Sequence, residues 1–237
     1  MTDLLGALGQ AWVRVLIFPG GLSAFLLSLL VAYISGCRQV ERLYAVTLLD
    51  VLPPLCAITL LPLVTAPSFP YGLDLPTALV LLLWPVVRRF ATTPLDPPRL
   101  IEGYVPLLSA MLALISATAT FDLGGLLRWP TALPYQIALS IGTITWLAAL
   151  PYLLPPPTDL ALATSRLGLI LIGSLPISTA LNVYTEIGST LPWLITAMSS
   201  ATAIASTIAF GSAPASVRYV LAGSAFITAG WILGVGQ

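Results

Sequence analysis

Long apolar runs, separated by short polar or proline-rich segments, make up most of this chain. The runs predict eight helices, because each is close to the roughly 20 residues that an α-helix needs to cross a bilayer. The predicted helices cover residues 15–36, 50–66, 75–90, 100–121, 131–153, 160–182, 190–211 and 216–236. The segments between them are too short for a soluble domain, so we expect an all-α membrane helix bundle in which residues 1–237 form a single transmembrane domain.

The segment before the second predicted helix contains a short amphipathic stretch and an acid. Over residues 39–49 the apolar and polar side chains fall on different faces of a helix, which predicts a helix lying in the membrane interface. Asp50 follows. Two interpretations of Asp50 stay open: an N-cap for the second span, or a buried carboxylate that carries a proton. Asp159 follows a run of prolines and also has two interpretations: either Thr158 or Asp159 caps the sixth predicted helix, or Asp159 is a residual acid.

Composition strengthens the membrane assignment and argues against several kinds of chemistry. The chain is 58% hydrophobic and 8% charged, whereas about a quarter of the residues in a soluble domain are charged. It contains no histidine, which argues against haem and zinc chemistry. Cys37 and Cys56 read as packing residues. Phosphate loops, nucleophile elbows and metal-binding cysteine pairs are absent from the sequence. We therefore expect no catalytic residue, no metal or cofactor bound by this chain, and no nucleic-acid partner.

The arginines predict an orientation, because arginines near span ends favour the cytoplasm. Seven of the nine basic residues follow odd-numbered predicted helices. Both termini should therefore lie on the non-cytoplasmic side of the cell (inner) membrane, with the main basic loops in the cytoplasm. Six arginines are candidates for docking a soluble partner or anionic lipid head groups, although topology alone also explains them. They are Arg38, Arg42, Arg88, Arg89, Arg99 and Arg166.

A resemblance to a known family begins at the loop after the fifth predicted helix. The stretch PTDLALATSRL, residues 157–167, resembles the P-F-D-L-x-E-x-E-x-E-L segment of the membrane subunit that carries the quinone site in respiratory complex I. It is also similar to the related subunit of membrane-bound hydrogenases such as formate hydrogenlyase. Further similarity lies in the stretches 60–65 and 72–75, and in the entry to the fourth helix from Arg99 to Pro106. The resemblance implies eight helices and an assembly that handles quinone and protons.

The departures from that family pattern concern its acids. In the family, the acids after the Asp-Leu pair line the quinone chamber and begin a proton path, but Leu162, Thr164 and Arg166 occupy those places here. Asp159, Glu102 and Asp50 are the candidates for a residual proton or quinone path. Glu102 has an alternative interpretation as the partner of Arg99, three residues earlier on the same helix.

Two classes of function remain after these considerations. The first is a membrane-anchoring, non-catalytic subunit of a complex-I-like or membrane-hydrogenase-like redox assembly. It would contact other membrane subunits, a cytoplasmic iron–sulfur module and lipids, with quinone present elsewhere in the assembly. The alternative is a structural scaffold subunit of another respiratory or photosynthetic membrane complex, or a small stand-alone transporter. A transporter should show inverted repeats and broken helices around a polar site at the midplane, and the sequence shows no convincing repeat.

Overall fold

A computed structural model describes residues 21–34, 48–59, 61, 73–90, 97–153, 159–185 and 214–235. The α-helices in this part of the chain are α1 (Gly21–Ile34), α2 (Leu48–Thr59), α3 (Asp74–Phe90), α4 (Pro97–Thr118), α5 (Leu133–Leu153), α6 (Leu160–Thr185) and α7 (Ala215–Val235). A short 3-10 helix, Leu123–Leu127, lies between α4 and α5. The described residues contain no strand, which confirms the all-α class.

The helices occur where the apolar runs predicted them. Stretches of α4, α5, α6 and α7 are long and apolar enough to cross a membrane. The predicted helix 190–211 and nearly all of the predicted interfacial segment 39–49 lie outside the described residues. The fourth helix ends at Thr118 rather than at residue 121, because the next residue, Ala119, has a φ of 53°. Residues in this left-handed conformation commonly terminate helices.

Hydroxyl groups inside the helices bond to the backbone of their own helix. The Thr143 hydroxyl donates to the carbonyl of Leu139 at 2.7 Å, and that of Ser165 donates to the carbonyl of Ala161 at 2.9 Å. Such bonds to the preceding turn satisfy a hydroxyl without a second helix. These buried hydroxyls are therefore compatible with apolar surroundings.

The described residues divide into two compact units. The first contains α1, α2, α3 from Pro76 onwards, and α6 up to Leu169. The second contains the start of α3, α4, the 3-10 helix, α5, the rest of α6, and α7.

Close backbone approach at glycine shapes the second unit. A Cβ on Gly103 of α4 would lie 2.8 Å from the Cα and backbone N of Leu153 in α5. A Cβ on Gly142 of α5 would lie 3.2 Å from the carbonyl oxygen of Ala110 in α4. Small residues allow helices to approach this closely. Helix α7 packs against both α4 and α5, and the Thr145 hydroxyl of α5 reaches the α7 carbonyl of Leu221 at 3.2 Å.

The first unit also contains a close approach at a glycine. Gly168 of α6 lies so near the side chain of Leu82 in α3 that a Cβ would overlap it. Ala163 of α6 packs with Ala32 of α1, and Leu29 covers this contact. Small side chains thus set the spacing of the helices here too.

Helices α6 and α7 differ sharply in burial. In the apolar stretch of α6, 89% of the residues are buried, against 22% in α7. Every residue of α6 from Leu160 to Pro176 is buried except Arg166, which is partly buried. Apart from Arg166, the side chains in the first two thirds of α6 are therefore closed off from the surroundings.

Candidate functional site

Three side chains from α4, α5 and α7 form an ionic cluster at one end of the second unit. Nη2 of Arg218 donates to Oε2 of Glu102 at 2.8 Å. The same guanidinium lies 3.2 Å from the centroid of the Tyr152 ring. The Arg218 side chain is only 3% exposed, whereas that of Glu102 is 33% exposed. A buried arginine is thus neutralised by a carboxylate and stacked on an aromatic face, where cation–π attraction adds to the ion pair.

The helix ends place these three side chains together. Glu102 lies near the start of α4, Tyr152 near the end of α5, and Arg218 in the first turn of α7. Gly103, beside Glu102, permits the contact with the α5 backbone. The sequence hypothesis that Glu102 pairs with Arg99 is not tested, because the Arg99 side chain lies outside the described residues. Glu102 does have a partner 116 residues further along the chain, Arg218.

Asp50 takes part in a second ion pair, in the first unit. Its Oδ1 accepts a hydrogen bond from Nη1 of Arg88, near the end of α3. Helix α2 begins at Leu48, so Asp50 lies inside the first turn and not at the N-cap position. An acid in the first turn is also favourable to the helix dipole. The contact joins two of the residues singled out in the sequence.

Asp159 is the cap of α6. Its Oδ1 accepts a hydrogen bond from the backbone N–H of Leu162 at 2.9 Å, and α6 begins at the next residue, Leu160. An acceptor three residues before the bonded N–H is the usual geometry of an N-cap. The cap interpretation is therefore confirmed. A role of Asp159 in a proton or quinone path stays a prediction.

Of the six arginines that are candidates for docking, two have side chains within the described residues, Arg88 and Arg166. Arg88 is exposed and paired with Asp50, while Arg166 is partly buried in α6. Arg38 and Arg42 lie outside the described residues, as do the side chains of Arg89 and Arg99.

A carboxyl pair that sequence reasoning missed ties the start of α3 to the loop after α4. Asp122 accepts a hydrogen bond from the side chain of Asp74 and one from the N–H of Gly124, the latter at 2.9 Å. Asp74 is 4% exposed, and the N–H of Leu75 donates to the carbonyl of Phe121 at 3.1 Å.

The environment of Asp122 shifts its acidity. The hydrogen bond from Asp74, then that from Gly124, and the positive charge of Arg128 lower the pKa of Asp122, and partial desolvation opposes them. One signal in the sequence could have indicated that these acids are close. Asp74 and Asp122 both follow even-numbered predicted helices, which places them at the same end of the predicted helix bundle.

The contacts between side chains of different helices described above are ionic pairs and hydrogen bonds. Within the described ranges, no group of three or more His, Cys, Asp or Glu side chains is placed to hold a metal ion. The class that fold and contacts define is an all-helical protein with apolar helices of membrane-spanning length. Comparison with protein-family models, curated proteins and solved structures finds no match to this chain.

Proposed function

We propose that this chain is a membrane-embedded anchoring subunit of a larger assembly. The observation that carries the proposal is the outward face of α7. A Cβ on Gly223, Gly230 or Gly234 would meet no atom of the described residues within 4 Å. Helices in membranes associate through small residues that let backbones approach, and Gly230 and Gly234 have the Gly-x-x-x-Gly spacing of such contacts. Open glycines on an apolar helix therefore support a second membrane subunit seated there.

The kind of assembly is proposed from the sequence resemblance in residues 157–167. It favours a complex-I-like or membrane-hydrogenase-like complex that contains a cytoplasmic iron–sulfur module. Leu162 and Thr164 stand where the family has acids, and both are buried in α6. Proton transfer along a membrane needs titratable groups or waters. This supports a non-catalytic anchor, with any quinone bound elsewhere in the assembly.

The proposed orientation puts both termini outside the cytoplasm and the basic loops within it, in the cell (inner) membrane. In its support, Glu102, Tyr152 and Arg218 meet although they come from the start of α4, the end of α5 and the start of α7. Helices that cross in alternating directions would bring these ends together. The proposal of eight spans places one further crossing between α6 and α7.

The test is recovery of partners by gentle purification in a mild detergent, followed by mass spectrometry of the intact complex. Gly230→Leu should abolish or strongly reduce recovery of a membrane partner, because it fills the gap in which another helix would sit. It should not disturb the fold, since its Cβ meets open space. Ser140→Leu, an exposed small-to-large change on α5, is the matched control and should leave recovery unchanged.

Each outcome bears on a different part of the proposal. Loss of the partner in both variants, or in neither, would count against an interface on α7. Recovery of a complex without an iron–sulfur or antiporter-like subunit would retain the anchor but refute the redox assignment in favour of a scaffold in another complex. Substrate uptake by the purified chain alone in proteoliposomes would favour the transporter and overturn the anchor.

A further inference from the structure

Arg166 is the one break in an otherwise buried stretch of α6. The residues on either side of it, from Leu160 to Pro176, are buried, and Arg166 alone reaches the surface. Within the described part of the chain, no hydrogen bond or ion pair joins its guanidinium to another group. This differs from Arg88 and Arg218, which are paired with Asp50 and Glu102.

A partly buried charge without a counter-ion is unfavourable in apolar surroundings. Nearby polar side chains on α6 are already engaged. The Thr164 and Ser165 hydroxyls donate to the carbonyls of Leu160 and Ala161, and Asp159 caps the helix. The Arg166 guanidinium therefore needs an anion from outside the described residues to balance its charge.

The position of Arg166 indicates where that anion lies. At 1.5 Å per residue, Arg166 is about 9 Å along the axis from the start of α6. Arginine side chains at such depths extend towards the membrane interface, where lipid phosphates are concentrated. Guanidinium groups bind phosphate oxygens with two parallel hydrogen bonds.

We infer that the Arg166 guanidinium binds the phosphate group of an anionic lipid at the membrane interface. The site offers one positive charge and no hydroxyl group that could also bond to the lipid. We therefore expect it to distinguish lipids only by the charge of their head groups, and only modestly. The inference rests on the membrane location in the proposed function, and it does not depend on a redox assembly or on the α7 interface. It can therefore fail or succeed separately from them.

The test measures lipid binding to the purified full chain by native mass spectrometry, with phosphatidylglycerol, phosphatidylcholine and inorganic phosphate as separate probes. The chain should prefer phosphatidylglycerol to phosphatidylcholine. Arg166→Gln should weaken phosphatidylglycerol binding about fivefold, the contribution of one basic residue near an anionic surface. Arg166→Lys should retain most of the binding, and Arg128→Gln, which changes an exposed arginine elsewhere, should leave it unchanged.

Several results would overturn the inference. One is wild-type protein that does not prefer phosphatidylglycerol, a result that needs no variant to fold. Another is an equal loss in Arg166→Gln and Arg128→Gln. Displacement of the lipid by inorganic phosphate at comparable concentration would assign the site to a soluble anion. Unchanged lipid binding in Arg166→Gln, together with loss of a co-purifying subunit, would assign it to a protein carboxylate.

Discussion

Neutralising Glu102 should destabilise the protein much more than neutralising its partner. In Glu102→Gln, the guanidinium of Arg218, only 3% exposed, loses the negative charge of the Glu102 carboxylate. Removing one member of a buried pair typically costs 3–5 kcal/mol. Glu102 is 33% exposed, so the pair is not fully desolvated, and we expect a loss at the low end, about 3 kcal/mol.

The opposite change should be mild. Arg218→Met leaves the Glu102 carboxylate partly solvated and replaces the guanidinium with an apolar side chain beside the Tyr152 ring. Replacing a whole buried ion pair by apolar groups is often neutral or stabilising. We expect Arg218→Met to cost about 1 kcal/mol, largely the lost cation–π contact. The double variant Glu102→Gln/Arg218→Met should be no less stable than Arg218→Met alone.

The assay is reversible unfolding in mixed micelles titrated with SDS, monitored by tryptophan fluorescence and circular dichroism. The four proteins form a double-mutant cycle, and Arg128→Met is the exposed control, expected to lie within about 0.5 kcal/mol of wild type. Additive effects of the two single changes would refute an energetic link between α4 and α7. So would a Glu102→Gln protein as stable as wild type.

Three further predictions concern helix contacts, acidity and capping. Gly103→Ala should lower the free energy of unfolding by about 2 kcal/mol, because its Cβ meets the α5 backbone. Gly223→Ala, whose Cβ meets open space, should not lower it. Equal losses for the two variants in the same unfolding assay would contradict the close approach of α4 and α5. The stability that Asp122 contributes should be complete above about pH 4, the unfolded-state pKa of an aspartate, and should be lost as pH falls through its lower folded-state pKa. Asp122→Asn should remove that acid dependence, and an unchanged pH profile of unfolding would refute it. In the proposed redox assembly, Asp159→Asn should leave assembly intact and turnover nearly unchanged, since Asn caps helices as well as Asp. A large loss of quinone-linked activity in that assembly, if it still forms normally, would reveal a surviving acid site.

The positions of helices could be predicted from the sequence because apolar runs of membrane-spanning length have few other solutions. Helices α5 and α6 begin within two residues of their predicted starts. The cap at Asp159 was accessible for the same reason, since it depends on the residues next to it. Both the helix cap and the length of an apolar run depend only on residues that are adjacent in the sequence.

Contacts between helices were not predictable in this way. Helices that are apolar on every side carry no periodic signal for which face turns inward. Nothing local distinguishes Arg218 as the partner of Glu102, or Asp74 as the partner of Asp122. For the same reason, the difference in burial between α6 and α7 could not be predicted. Both helices are apolar and long enough to cross a membrane, yet α6 is mostly buried and α7 mostly exposed.

The contrast in burial between α6 and α7 has a consequence for which substitutions each helix can accept. Along α6 from Leu160 to Pro176 every side chain except that of Arg166 is buried, so side-chain volume is the restricted quantity, and Gly168→Ala or Ala163→Leu should destabilise the protein although both remain apolar. On exposed positions of α7 beside the face that carries the open glycines, such as Trp231 and Leu233, side-chain size is much less restricted than polarity. Substitutions in α6 should therefore be limited by the shape of the side chain, whereas those at such positions of α7 should be limited by its solubility in lipid.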